Sequence, residues 1–410
     1  MTPHAGSSRE VRTAVIESVI EIFEKRLYDP AFKGMNFRSL AASRSEEIVN
    51  SPDFAEQMKA LLAQTGVYPT DFYHESSRTV PLDRLIRATL HETAATGSSW
   101  MFQDVHLDGP AYNFGIRPGY MLTALNGHSV TPSARPSVPA GIPVTIDIRR
   151  PDLTAESFRI DAPSPATKKQ RDKTRYVSSP VLEPGIGYIK ASMFPGALGM
   201  EVARQTDRAV KSLNGAARLV VDLRGNFGSA GAGNLRLMSY LTPDRIPVGY
   251  SLTRKRAEQG YRREDLIQFR RIPGSMLGVP FLLWRFRKAD KSIVVVTEGL
   301  GAQTFHGKIV LLVNEHTISG AEIVAGFAAD HRLATIVGTR TSGRLLAWAS
   351  LSVGHGFFVT MPIGNYLTWE GKSFEGTGVV PDVDVAFSPQ SAFAGKDNQL
   401  DRAVEIVKSL

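Results

Sequence analysis

Cysteine is absent from all 410 residues, which excludes disulfides, thiol nucleophiles and Cys-ligated metals and leaves the redox compartment open. No apolar run approaches the ~18 residues that a membrane-crossing helix needs. The first ten residues, Met1 to Glu10, are small and polar and lack the charged-then-apolar layout of a secretory signal. A cytoplasmic protein is the expectation, unless a leader has been removed. The nine histidines show no His-x-x-x-His spacing and no carboxylate at ligand spacing, so neither a metal nor another cofactor is expected.

What is present suits a globular protein of two or three domains: 42% hydrophobic and 21% charged residues, with 36 Gly and 24 Pro spread along the chain. A net charge of +8 raises nucleic acid as a partner, but the basic residues read as scattered. The densest cluster, Lys168 to Arg175, has five Lys/Arg and one Asp in a loop-like stretch. It reads as a solvated linker rather than a nucleic-acid site.

Residues 1–92 read as a helical region. Val11, Val15, Ile16, Val19, Ile20 and Phe23 recur at helical spacing, as do Phe54, Met58 and Leu61. Asp53 stands in a plausible start region for the second helix, and a short helix is expected over Leu82 to Leu90. Over 93–162 the texture changes to short strands and turns. Gly109-Pro110-Ala111 and Gly115 to Gly119 are turn chemistry, and Leu122 to Leu125 reads as a strand ending in the tight turn Asn126-Gly127. Val144, Ile146 and Ile148 alternate with polar residues, as in a half-buried strand.

Residues 163–184 read as a Pro/Ser/Lys linker. From Gly185 strand and helix alternate: strands over Ile186 to Ile189, Ala217 to Leu223 and Lys308 to Asn314, and helices over Met200 to Leu213 and Ser319 to Ala329. Such alternation implies an α/β core with much parallel sheet. A C-terminal helix is expected over 389–410. The segment Met276 to Trp284, apolar and then basic, reads as a lid, a packing segment or an oligomer contact, with a membrane-surface role as the alternative.

Two strand ends carry the chemistry. LVVDLRGNFGS (residues 219–229) is an apolar strand running into a turn with two glycines. Residues 309–343 give a strand, a tight turn and a helix opening near Ser319. A serine at a helix N-terminus sits where free backbone amides and the helix dipole favour negative charge. The Gly320 amide is placed to serve an oxyanion. The plainer reading makes Ser319 a helix cap with Glu322 at capping-box spacing, and both readings can hold together.

Two resemblances follow from these residues. GPAYNFGIRPGYMLTALNGHSV (109–130) resembles the central stretch of a PDZ domain, a fold that takes an extended peptide as an added strand; the alternative is a β-rich packing domain that binds nothing. DLRGNFG, then LVNEHTISGAEIVAGFAADHRLATIVGTRTSG, then FEGTGVVPDVDV are similar, in order, to three signatures of the carboxy-terminal-processing (tail-specific) serine protease family. The resemblance implies a multidomain α/β protein: an N-terminal helical segment, a PDZ-like module and a crotonase-like protease core over 185–388. It also implies a serine endopeptidase acting on protein or peptide substrates, with oligomers possible. The nucleophile would be Ser319, and the oxyanion hole Gly320 and Gly228, with Ser229 where members often have a second glycine.

The sequence departs from the family at the base. In the processing branch a Lys stands 25 residues after the nucleophile and a Gln four further on; here these positions are Arg344 and Trp348. A guanidinium, with a pKa above ~12, cannot deprotonate a serine. Arg344 therefore reads as a surface arginine or as a clamp for an acidic group or peptide terminus. The branch that includes the tricorn core protease uses His and a late Glu. Glu375 fits the Glu position. The His position falls on Tyr68-Pro69 in TGVYPTDFYHESSR (65–78), and a shift of five residues brings His74 into the role. The expectation is thus Ser319 with His74 as general base and Glu375 as orienter. The alternative is a catalytically inactive relative that binds peptide termini or acts as a scaffold.

Overall fold

Alternation along four buried strands sets the centre of the molecule. The computed structural model describes residues 8–29, 34–93, 99–161, 174–180, 182–195, 199–213, 215–228, 231–273, 276–288 and 292–410. Most of the linker stretch and its basic cluster lie outside these residues, as does Ser229. The central sheet runs in the order Val177–Ser178, Ile186–Ala191, Arg218–Asp222, Lys308–Val313, Thr335–Gly338, Val383–Asp384, and all neighbours after the first pair are parallel. Leu219, Val221, Ile309, Leu311 and Val313 face the helices Met200–Lys211, Gly231–Leu241 and Gly320–Asp330. The intervening Val220, Val310 and Leu312 face the helix Asn398–Ser409 through Ala403, Ile406 and Val407. Successive side chains on a strand point to opposite faces, so a sheet covered on both sides reads as a continuous apolar run. Each fully buried Val, Leu or Ile contributes about 1.5–3 kcal/mol.

The expected N-terminal helices form over Arg9–Arg26, Phe37–Asn50 and Phe54–Ala63. Their apolar stripe, including Val15, Val19, Phe23, Met58 and Leu61, packs on Phe72, Val353, Phe357, Val359 and Met361. Those partners belong to a second sheet built on the hairpin Ala347–Gly354 and Phe357–Thr368, with Asp71–His74 as its edge strand. The N-terminal helices therefore rest on strands from the far end of the chain.

A β-rich module follows, in the order Ala88–Thr93, Ser99–Val105, Met121–Leu125, Val144–Arg149, Ala155–Ile160. Asn126 and Gly127 both have positive φ, as the tight Asn-Gly turn requires. The helix expected over Leu82 to Leu90 ends at Ile86, because Arg87 takes a left-handed conformation (φ 54°, ψ 52°) and Ala88–Thr93 joins this sheet. The expected boundary at 92/93 accordingly falls inside a strand. Two further readings are corrected. Val177–Ser178, inside the supposed linker, forms an edge strand of the central sheet. The C-terminal segment is two helices, Pro389–Phe393 and Asn398–Ser409.

Candidate active site

The site forms where the parallel strands Arg218–Asp222 and Lys308–Val313 end side by side, the location at which open α/β sheets present functional loops. The turns that follow are laced together. Gly225 N–H donates to Asn314 Oδ1 at 3.0 Å, Ile318 N–H to the Asn226 carbonyl at 2.9 Å, and Thr317 Oγ1 to the Leu223 carbonyl at 3.0 Å. Asn226 Nδ2 reaches the Ala191 carbonyl at 2.6 Å and ties in a third strand. Asp222 and Arg224 anchor the first turn from below. Arg224 bonds both Asp222 and Asp397, each at 2.7 Å. Burial works against the Asp222 charge, yet Arg224 and Lys190 hold its carboxyl well below the usual carboxylate range.

Ser319 caps the helix Gly320–Asp330 with φ 61° and ψ −114°. A non-glycine residue at positive φ is strained, and such residues cluster at functional sites. No His, Lys or carboxylate side chain is hydrogen-bonded to its hydroxyl among the described residues. Its backbone N–H donates to Glu322 Oε2 at 3.0 Å. The same carboxylate accepts Thr341 Oγ1 at 2.6 Å, Gly343 N–H at 2.6 Å and Arg344 N–H at 2.9 Å. Burial raises the pKa of Glu322, and these four donors oppose the rise. The Thr-x-Ser-x-x-Glu spacing thus fastens the loop 341–344 to the nucleophile position.

Glu375 continues that fastening. Its Oε2 accepts Leu345 N–H at 2.7 Å and Leu346 N–H at 3.1 Å. Gly376 N–H donates to the Gly343 carbonyl at 2.8 Å. Ser319, Gly320, Gly228, Arg344 and Glu375 are therefore brought together.

Gly228 and Gly320 meet in an unexpected sense: Gly320 N–H donates to the Gly228 carbonyl at 3.0 Å. Gly228 turns an acceptor, not an amide, toward its neighbour, and the Gly320 amide is already engaged. Only glycine suits the position, since φ is 111° and a Cβ would run into the Phe194 carbonyl.

His74 is not part of this cluster. It pairs with Phe357 beside the hairpin turn, whereas the loop bearing Arg344 joins the hairpin at Ala347, opposite Gly364. Seven residues of strand separate the two ends, roughly 23 Å at ~3.3 Å each. Its Nδ1 lies 3.1 Å from Ser76 Oγ, and its ring stacks edge-on against Phe357 at 4.9 Å. The residue that does reach the site from this edge is Tyr68, whose ring lies 5.0 Å beneath the Arg344 guanidinium. The unshifted alignment on Tyr68-Pro69 marks the position closer to the site, and neither residue there is a base.

Sequence reasoning passed over two neighbours, Arg84 and His106, and read a third, His316, as a loop residue flanking the nucleophile helix. Arg84 lies over the Phe227 ring at 3.8 Å, one residue from Gly228. Buried His106 donates from Nε2 to the Gly225 carbonyl at 3.0 Å and stacks on Phe227 at 5.4 Å. His316, in the turn before Ser319, is buried, and burial lowers its pKa so that the neutral imidazole is favoured. No motif marked Arg84 or His106; their places come from the docking of the β-rich module. His316 was visible as a histidine near the helix, without a spacing to define a role.

The family model "Peptidase family S41" matches residues 185–385. Those residues, just under half of the chain, are similar to peptidase family S41. This S41-like core contains both strand ends and the Glu375 segment. A "Carboxy-terminal-processing protease" of Bartonella bacilliformis is 24% identical over 298 residues, covering 71% of this chain and 59% of that protein. A "Carboxyl-terminal-processing protease" of Synechocystis is 28% identical over 138 residues, 32% of each. The matches thus span about a third to three-fifths of these relatives' own lengths. Among solved structures, "Photosystem II D1 C-terminal processing protease" aligns with TM-score 0.58 and 17% identity over 93% of this chain and 94% of that one. Mature CPAF complexed with lactacystin aligns at 0.57 and 14%, over 98% of both. These likenesses extend the shared fold over the helices and the β-rich module.

Proposed function

We propose that this chain is a serine-type endopeptidase of the tail-specific class that cleaves protein or peptide substrates with Ser319 as nucleophile. The observation that carries the reading is the strained Ser319 backbone at the head of a buried helix in an S41-like core. The Ser319 oxygen attacks the peptide carbonyl, the amine leaves with a proton, and water clears the acyl-enzyme. The proton acceptor in this reading is His316, three residues before Ser319 in the same turn, whose neutral form burial favours. Glu375 is a positioning residue for Leu345 and Leu346, next to Arg344. Arg344, stacked on Tyr68 and in no ion pair among the described residues, takes an acidic group or peptide terminus. Catalysis requires the Gly228 carbonyl to release the Gly320 amide, a backbone rotation that glycine permits. The β-rich module is assigned as PDZ-like and the S41-like core as crotonase-like, on the order of their strands and turns.

The engaged Gly320 amide favours a second reading, an inactive relative that binds peptide termini. Labelling with a fluorophosphonate probe separates the two. The native protein is expected to label, Ser319→Ala to abolish labelling, and His316→Ala to slow it about 100-fold or more. His74→Ala is expected to change nothing. A folded native protein that never labels would move the binding reading ahead. Slowing by His74→Ala but not by His316→Ala would overturn the assignment of the base.

A further inference from the structure

Residues 254–288 hold ten Lys/Arg against three Asp/Glu. The basic residues are therefore not scattered: a net +7 of the chain's +8 falls in 35 residues. The three carboxylates are already engaged, Glu258 by Arg254, Glu264 by Arg263 and Asp265 by Arg262. Arg270, Arg271, Arg285 and Arg287 make no ion pair among the described residues. Arg270 and Arg271, both exposed, follow Phe269, whose ring meets Phe286 edge-on at 5.6 Å, so their backbone runs beside the helix Val279–Lys288, which itself carries Arg285 and Arg287.

That helix is apolar on both sides. Val279 and Leu282 are buried, and Leu282 and Phe286 pack against Phe269 and its neighbours. Facing away, Leu277 is 90% exposed, Phe281 62%, Leu283 47% and Trp284 51%. Phe281 and Trp284 stack at 5.8 Å. Surface helices of globular proteins carry polar residues on their outer face, and a contiguous apolar patch marks an interaction site.

We propose that this helix and its arginines form an interfacial element that docks the protein on an anionic lipid bilayer. Ten helical residues extend about 15 Å, half of a hydrocarbon core of about 30 Å. No helix among the described residues is long and apolar enough to cross a membrane, so the element lies on the surface. Large apolar side chains ringed by unpaired arginines match the acyl–headgroup boundary of an anionic leaflet. A second copy would bring +7 against +7. A nucleic acid would leave Leu277, Phe281 and Leu283 without a partner.

The test is co-sedimentation of the full chain with phosphatidylcholine vesicles, with and without 30% phosphatidylglycerol. The expected result is binding to the anionic vesicles, at least tenfold weaker binding to the neutral ones, and release by 0.5 M NaCl. Phe281→Ser with Trp284→Ser should abolish binding. Arg285→Gln with Arg287→Gln should weaken it about fivefold for each charge removed. A blue shift of tryptophan emission on adding anionic vesicles, absent in the conservative Trp284→Phe, reads the same contact without risk to the fold. Equal binding to both vesicle types, or none, would overturn the proposal. So would binding that survives loss of Phe281 and Trp284 and yields to duplex DNA. A dimer in light scattering that Phe281→Ser dissolves without lipid would assign the patch to a second copy instead.

Discussion

His106 is enclosed where the β-rich module meets the turn 222–228. Its Nε2 bonds the Gly225 carbonyl, while Nδ1 is buried with no hydrogen-bond partner among the described residues. Burial pushes its pKa down to about 4; Lys190 and Arg87 add to the depression, and Asp104 opposes it. The fold therefore favours the neutral ring. Above about pH 6.5 the imidazole is neutral in folded and unfolded chains alike, and stability is unaffected by it. As pH falls from there toward 4 the unfolded chain takes up the proton first, and stability declines by about 3 kcal/mol. The expected outcome in guanidinium unfolding at pH 7 and pH 4.5 is a loss of about 2–3 kcal/mol for the native protein. That loss should be much smaller in His106→Gln, which keeps a donor for Gly225 and cannot titrate. An unchanged pH dependence in the variant would remove His106 as its source.

At the scale of elements, the site depends on fastening one loop to one helix. Glu322 grips the backbone of Ser319, Gly343 and Arg344 together with the Thr341 hydroxyl, and Glu375 grips Leu345 and Leu346. The sequence spacing showed Glu322 as a helix cap. It could not show the second partner, because nothing local announces that residues 341–344 fold back on it. Glu322→Ala leaves several buried donors without an acceptor, each costing about 1–3 kcal/mol. The expected outcome is destabilisation of about 3–5 kcal/mol in urea unfolding, larger than an exposed cap at about 1 kcal/mol would give. Loss of only ~1 kcal/mol would mean that the loop is held by other bonds. The elements themselves were largely legible: continuous apolar runs gave the central strands, and helical spacing gave the N-terminal stripe. His74 was misplaced because its position follows from pairing with Phe357, a contact between distant parts of the chain that no local pattern encodes. The Gly320–Gly228 hydrogen bond was equally invisible, since it depends on which way one peptide faces.

For the whole molecule, the decisive layer is the last one laid down. The helix Asn398–Ser409 covers the face formed by Ile186, Tyr188, Val220, Val310, Leu312 and Val337, and Asp397 at its start completes the buried Arg224 cluster. Without it, six apolar side chains meet water at about 1.5–3 kcal/mol each. Arg224 also loses Asp397 and Gln399, leaving Asp222 alone to answer its charge. The sum is comparable with the entire stability of an ordinary domain, about 5–15 kcal/mol. Ending the chain at Lys396 is therefore expected to abolish cooperative thermal unfolding and soluble expression together. Asp397→Asn, which keeps the helix and its apolar face, should remain folded and melt only several degrees lower. A truncated chain with a native-like cooperative melt would show that the N-terminal helices and the β-rich module hold the S41-like core without its second covering face.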